Sequence, residues 1–221
     1  MSDPGPRSYW PLFDLVIRTP RLEIRLPRED EFGALLAVIE DGIHDPSTMP
    51  FRHPWTDQPR ARRERESAQW WWRQRAEWSV DNWSYVGAVY VDGQVVGVQD
   101  LLAVHFAQLR SVTTGSWLGR RHQGQGLGKE MRQAILHLAF AGLGAEEALS
   151  GAFDDNAPSL GTSRAVGYLD NGEQRAARRD DVGRSVNLRM DRERWSTARR
   201  DNIAPSGLEG CLDMFIGTPR I

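Results

Sequence analysis

The first clear periodicity in the chain has a period of two. Leu22, Ile24 and Leu26 alternate with Arg21, Glu23 and Arg25, which predicts a half-buried strand closed by Pro27. Residues 28–41 follow with a helical spacing that places Phe32, Leu35, Leu36 and Ile39 on one face. Residues 45–59 are rich in proline and read as a loop. Residues 60–79 read as a helix, and its mixed run of Arg60, Arg62, Arg63 and Arg65 with Glu64 and Glu66 reads as a solvated face. From Trp83 the pattern turns to strand. Residues 83–91 and 94–104 meet at Asp92-Gly93, a two-residue hairpin signal. A third β-rich run covers 108–118. The segment 119–128 holds four glycines and leads into a helix whose stripe is Leu127, Met131, Ala134, Ile135 and Leu138, with Gly142 and Gly144 ending it. Residues 146–153 read as a strand and 156–166 as a short helix. A strand starts at Gly167-Tyr168-Leu169, and residues 184–190 alternate into a last one.

This order predicts an α/β (α+β layered) fold, with a mixed, mostly antiparallel central sheet of about 6–7 strands flanked by helices. Residues 1–18 read as an irregular lead-in, 19–195 as the domain, and 196–221 as a tail that docks on the body or on a partner subunit.

Composition narrows the class. A chain of 221 residues suits one domain with a sizeable core. A net charge of −2 argues against a broad nucleic-acid or anionic-membrane footprint. The single Cys211 cannot form an intrachain disulfide, which favours a reducing compartment. There is no signal-like start, and no stretch nears the ~20 apolar residues of a membrane span, so a cytoplasmic location is expected. His44, His53, His105, His122 and His137 show no ligand spacing, so no metal is expected. Trp70, Trp71, Trp72 and Trp78 read as core packing, with one or two of them open to a role as pocket wall.

Strand, glycine loop and amphipathic helix in succession make an anion site. The free N–H groups and dipole of a helix start attract negative charge, and Gly124, Gly126 and Gly128 let the backbone approach phosphate oxygens. Arg120, Arg121 and Lys129 add positive charge. A Walker-A loop is disfavoured, because three residues separate Gly124 from Gly128 and Glu130 stands where a hydroxyl is needed. The dinucleotide fingerprint fails as well.

Arg121-His122-Gln123-Gly124-Gln125-Gly126 resembles the signature of the GNAT superfamily of acyl-CoA N-acyltransferases. Downstream, Asn156, Ser159, Ser163, Gly167 and Tyr168 stand at the family's spacing, with Ser163 in place of the common Tyr and Tyr168 in place of the common Phe. That serine, and the opening Thr19-Pro20-Arg21-Leu22-Glu23-Ile24-Arg25, are similar to the RimJ/RimL-like branch.

The resemblance implies a GNAT-like fold and direct attack of an amine on an acyl-CoA thioester. It implies acyl-CoA contacts at Trp117, Leu118, Arg121, Gln123, Gly124, Gln125, Gly126, Leu127, Gly128, Lys129, Asn156, Ser159 and Ser163. The catalytic roles implied fall to a backbone N–H near Leu118 polarising the carbonyl, to Asn156, and to Ser163 donating to the leaving sulfur. Acetyl-CoA is the default donor. Succinyl-CoA is the alternative, with Arg52 and His53 available to a second carboxylate. Asp100, His105 or a water chain could serve as base. The acceptor implied is a small amine, a protein N-terminus or a lysine, without nucleic acid or membrane, and a homodimer is compatible with the apolar tail. A non-catalytic acyl-CoA-binding module on the same fold is the other class of reading.

Overall fold

The computed structural model describes residues 9–217. Two short strands open the chain, β1 (Val16–Arg18) and β2 (Glu23–Arg25), and a tight turn at Glu29–Glu31 leads into helix α1 (Phe32–Glu40). Helix α2 (Arg60–Ala76) precedes the hairpin of β3 (Asn82–Val91) and β4 (Gln94–Val104). Asp92 and Gly93 both adopt positive φ, 49° and 75°, as a two-residue hairpin turn that follows the strand twist requires.

A four-residue helix α3 (Phe106–Leu109) then separates β4 from β5 (Ser111–Leu118). The β-rich reading from residue 108 is corrected here. His105 and Arg110 take left-handed φ of 51° and 50° on either side of α3, and this tight reversal delays the strand to Ser111. Helix α4 (Leu127–His137) continues as a wider turn over Leu138–Gly142, and is followed by β6 (Glu147–Phe153) and α5 (Ala157–Ala165). The long hairpin β7 (Leu169–Arg178) and β8 (Asp181–Asp191) precedes α6 (Arg192–Ala198), β9 (Ala204–Ser206) and α7 (Leu212–Ile216).

The nine strands among the described residues form one sheet in the order β7-β8-β6-β5-β4-β3-β2-β1-β9. Nine exceeds the expected 6–7 because β1 and β9, three residues each, lie in stretches without alternation. Pro205 in β9 fits an edge, where no ladder bond is missed. Every pairing is antiparallel except β5–β6.

Each face of the sheet carries a core. On one, Leu127, Met131, Ile135 and Leu138 of the α4 stripe pack with Ile17, Tyr85, Leu101 and Phe140. On the other, Phe32, Leu35 and Ile39 of α1 meet Trp71, Val86 and Val98. Within the tryptophan cluster, Trp71 is core, whereas Trp70 and Trp72 are exposed. The C-terminal segment packs on its own chain: the Trp78 and Trp83 indole N–H groups donate to the carbonyls of Met214 and Phe215 at 3.0 and 3.1 Å.

Candidate active site

The β5–β6 pair is parallel over Ser111–Thr113 and Glu147–Leu149 only. Beyond these residues the strands part, while β5 stays paired to β4 as far as Leu118 and β6 to β8 as far as Phe153. A wedge therefore opens in the middle of the sheet, with strand edge on both sides. It faces a cavity of about 1210 Å³.

The glycine loop lies where β5 ends. Gly124 and Gly126 adopt φ of 73° and 80°, and Gly126 stands directly before α4 without any side-chain cap. The first-turn N–H groups at Leu127, Gly128 and Lys129 have no carbonyl one turn back. Among the described residues nothing at the helix start substitutes for one, so this end is open to an anion. Gly128 lines the cavity, and a Cβ there would lie 3.7 Å from Thr162 Oγ1. Leu127 is buried in the core, and Lys129 is exposed.

The other residues singled out along this loop act on the loop itself. Gln123 donates to the carbonyls of Leu118 and Ile43, both at 2.8 Å, and so stitches the loop to the end of β5. Gln125 donates to the Arg121 carbonyl at 2.8 Å, and the Arg121 side chain pairs with Asp41 on the outer surface. Trp117, Leu118, Asn156 and Ser159 all line the cavity. Asn156 caps α5, its Oδ1 accepting from Ser159 N–H at 3.2 Å.

Ser163 stands apart. It is 0% exposed and does not reach the cavity wall. Its Oγ accepts an N–H from Arg132 at 3.2 Å. Arg132 is 3% exposed, does line the cavity, and also donates to Ser116 of β5 at 3.0 Å and Ser150 of β6 at 3.1 Å. The expectations from sequence contained no role for this arginine. Its one visible signal was position: with Glu130 it flanks the apolar stripe of α4, on the opposite side. Tyr168 is buried, and its hydroxyl meets Thr114 Oγ1 at 2.9 Å where the strands part.

The structure also separates the two candidate bases. His105 is exposed and lies 3.8 Å from Asp81 at the far end of β4. Asp100 lines the cavity opposite Gly115, where an added Cβ would come within 3.4 Å of its Oδ2. Asp100 Oδ1 is buried without a hydrogen-bond partner among the described residues. Burial pushes this carboxyl up to about 7, against the opposing pull of Arg132. No group of His, Cys, Asp or Glu that could hold a metal occurs among the described residues.

The outer wall of the cavity comes from the 45–59 loop, α2 and the tip of the β7–β8 hairpin. Trp55 and Trp70 line it, as do Arg52 and His53. The hairpin tip latches onto the loop: Arg178 donates to the Met49 carbonyl at 2.7 Å, and Arg179 forms an ion pair with Asp57 at 2.7 Å.

The model of the acetyltransferase (GNAT) domain family matches residues 21–168. The chain belongs to this family. As a GNAT protein it transfers acyl groups from CoA. Similar folds include Mycobacterium smegmatis RimJ in complex with CoA-disulfide, at 20% identity and TM-score 0.70, covering 83% of this chain and 89% of that one. The apo ribosomal L7/L12 α-N-protein acetyltransferase RimL is 16% identical with TM-score 0.65, covering 80% and 93%. A chimera of Vibrio cholerae spermidine N-acetyltransferase SpeG and hSSAT is 11% identical with TM-score 0.64, covering 80% and 98%. No helix among the described residues is long and apolar enough to cross a membrane.

Proposed function

We propose that this GNAT protein acylates a primary amine, with the pantetheine arm of acyl-CoA in the β5–β6 wedge and the pyrophosphate on the N–H groups of Gly124 to Lys129. The observation that carries this reading is the continuity of the two features. The free strand edge of β5 runs into an uncapped helix start through two left-handed glycines. An extended amide chain ending in phosphates matches that sequence of donors and acceptors.

The acceptor approaches from the opposite side of the cavity, between Trp55, Trp70 and the hairpin tip. Aromatic walls suit the apolar part of an amine, a peptide N-terminus or a lysine stem. An α-amino group with pKa near ~8 is partly neutral at pH 7, whereas a lysine near ~10.4 must lose a proton first. Asp100 is the group we assign to take that proton, since it faces the cavity with an unpartnered oxygen. The backbone N–H near Leu118 polarises the thioester carbonyl. Acetyl is the default acyl group. A dicarboxylic acyl such as succinyl is a second reading, supported by Arg52: it donates to the Ser185 hydroxyl at 3.2 Å, and it faces the cavity without a carboxylate partner among the described residues.

Calorimetric titration with acetyl-CoA, succinyl-CoA and CoA tests the site, alongside Gly126→Asp. Aspartate tolerates left-handed φ better than most residues, so the variant folds while placing negative charge at the helix start. Binding to the wild type that falls by about 100-fold in the variant supports the reading. Equal binding by the folded variant removes it.

A further inference from the structure

Arg132 carries a permanent charge into a nearly closed site. It donates to the neutral hydroxyls of Ser116, Ser150 and Ser163, and the guanidinium lies 5.9 Å from the Tyr168 ring. Its Nε is buried with no hydrogen-bond partner among the described residues. Asp100 feels the charge but is not hydrogen-bonded to it. A guanidinium removed from water without a bonded anion is costly, and such costs persist where an anion arrives during function.

The position of the charge is as informative as its surroundings. Ser116 and Ser150 lie just past the last paired residues, Thr113 and Leu149. The guanidinium fork thus spans the point where β5 and β6 part. It stands on the cavity wall, and Ser163 stands behind it with no exposed surface.

We propose that Arg132, rather than Ser163, faces the sulfur of the acyl thioester and supplies the charge that holds the departing thiolate. This rests on the acyl-CoA reading above. The amine nitrogen attacks the carbonyl carbon, a C–N bond forms, the C–S bond breaks, and sulfur leaves with the electron pair. The surplus proton on nitrogen passes to the Asp100 carboxylate and on to solvent. The thiolate takes a proton from solvent on release, so the products are an amide and a free thiol. Arginine does not give up a proton, and none is needed from it. A thiol of ordinary pKa near ~8.5 can leave as an anion, and a fixed cation stabilises it without proton transfer. The three serine hydroxyls hold the fork in one orientation, which is the part left to Ser163.

The test is the thiol of bound CoA, titrated through its thiolate ultraviolet absorbance. In the wild type it ionises about one unit or more below free CoA, as thiols beside arginine do. Arg132→Gln returns it to the free value and lowers kcat by about 10²–10³-fold, with KM for acetyl-CoA changed only a few-fold. Arg132→Lys keeps most of the shift, and Ser163→Ala keeps most of it with a kcat loss below about 10-fold. If bound CoA in the wild type titrates as free CoA does, or if Ser163→Ala abolishes the shift, the inference is overturned. The same holds if folded Arg132→Gln keeps the shift. If Arg132→Gln does not fold, the wild type, Arg132→Lys and Ser163→Ala still decide. A wild type that binds no CoA overturns the acyl-CoA reading and this inference together, whereas binding with an unshifted thiol overturns the inference alone.

Discussion

Arg21 and Glu130 lock the glycine loop from below. The Arg21 Nε donates to Glu130 Oε2 at 2.6 Å and its main-chain N–H to Oε1 at 3.2 Å, while its Nη1 reaches the carbonyl of Gln125 at 3.0 Å. Thr19 adds a hydroxyl to the same carboxylate at 2.6 Å. Burial alone would raise Glu130, but the hydrogen bonds from Thr19 and Arg21 prevail and hold it below the usual carboxylate range. Glu130→Ala removes a buried acceptor from several donors. It is expected to destabilise the fold by about 2–3 kcal/mol in urea denaturation. It also weakens CoA binding, since Gln125 loses its support; an unchanged CoA affinity in calorimetry would rule out this coupling.

Asp100 makes a pH prediction with a definite sign. Its folded pKa, about 7, lies above the unfolded value near 3.8, so the folded state binds more protons between these limits. Stability from this group is full below about pH 4 and is lost as pH rises through about 7. Asp100→Asn removes the loss. Relative to the wild type, the variant gains on the order of 4 kcal/mol in unfolding free energy between pH 4 and pH 8. Denaturation curves of both proteins at the two pH values check this, and parallel pH dependences would contradict it.

The C-terminal segment contributes to the core. Phe215 is 0% exposed and lies 5.2 Å from the Trp78 ring and 5.0 Å from that of Trp83. Phe215→Ala is expected to cost about 3–5 kcal/mol, the range for emptying a buried aromatic site. Tryptophan fluorescence reports it, because Trp78 and Trp83 both lose an edge contact. A melting temperature equal to that of the wild type would show that the segment does not dock in solution.

Arg52 separates the two acyl readings. If a dicarboxylic acyl group is the natural donor, Arg52→Gln raises KM for succinyl-CoA by about 10–100-fold, the weight of a charge-assisted hydrogen bond. The acetyl-CoA KM then moves far less. Equal changes for both donors would count against a carboxylate at Arg52.

Much of the fold was legible because its signals are local. The alternation at Leu22–Leu26, the Asp92-Gly93 turn, the stripe from Leu127 to Leu138 and the glycines before it each act over a few residues, and each appears where expected. The two missed strands share a cause. β1 and β9 are held by pairing between residues far apart in the chain, as Ile17 with Pro205, and neither carries a pattern of its own.

For the proposed site, the chain alone carries the anion-binding reading. Gly124, Gly126 and an amphipathic helix start make an anion cradle in almost any context, because backbone conformation and the helix dipole are local properties. Tertiary structure alone decided which side chains line the cavity. Ser163 stood at the family's spacing, yet Arg132 occupies the wall in front of it, gathering Ser116, Ser150 and Ser163 from 16, 18 and 31 positions away. Those contacts exist because β5 and β6 part and α4 and α5 pack over the gap. Burial and charge pairing depend on that packing, and linear spacing does not record it.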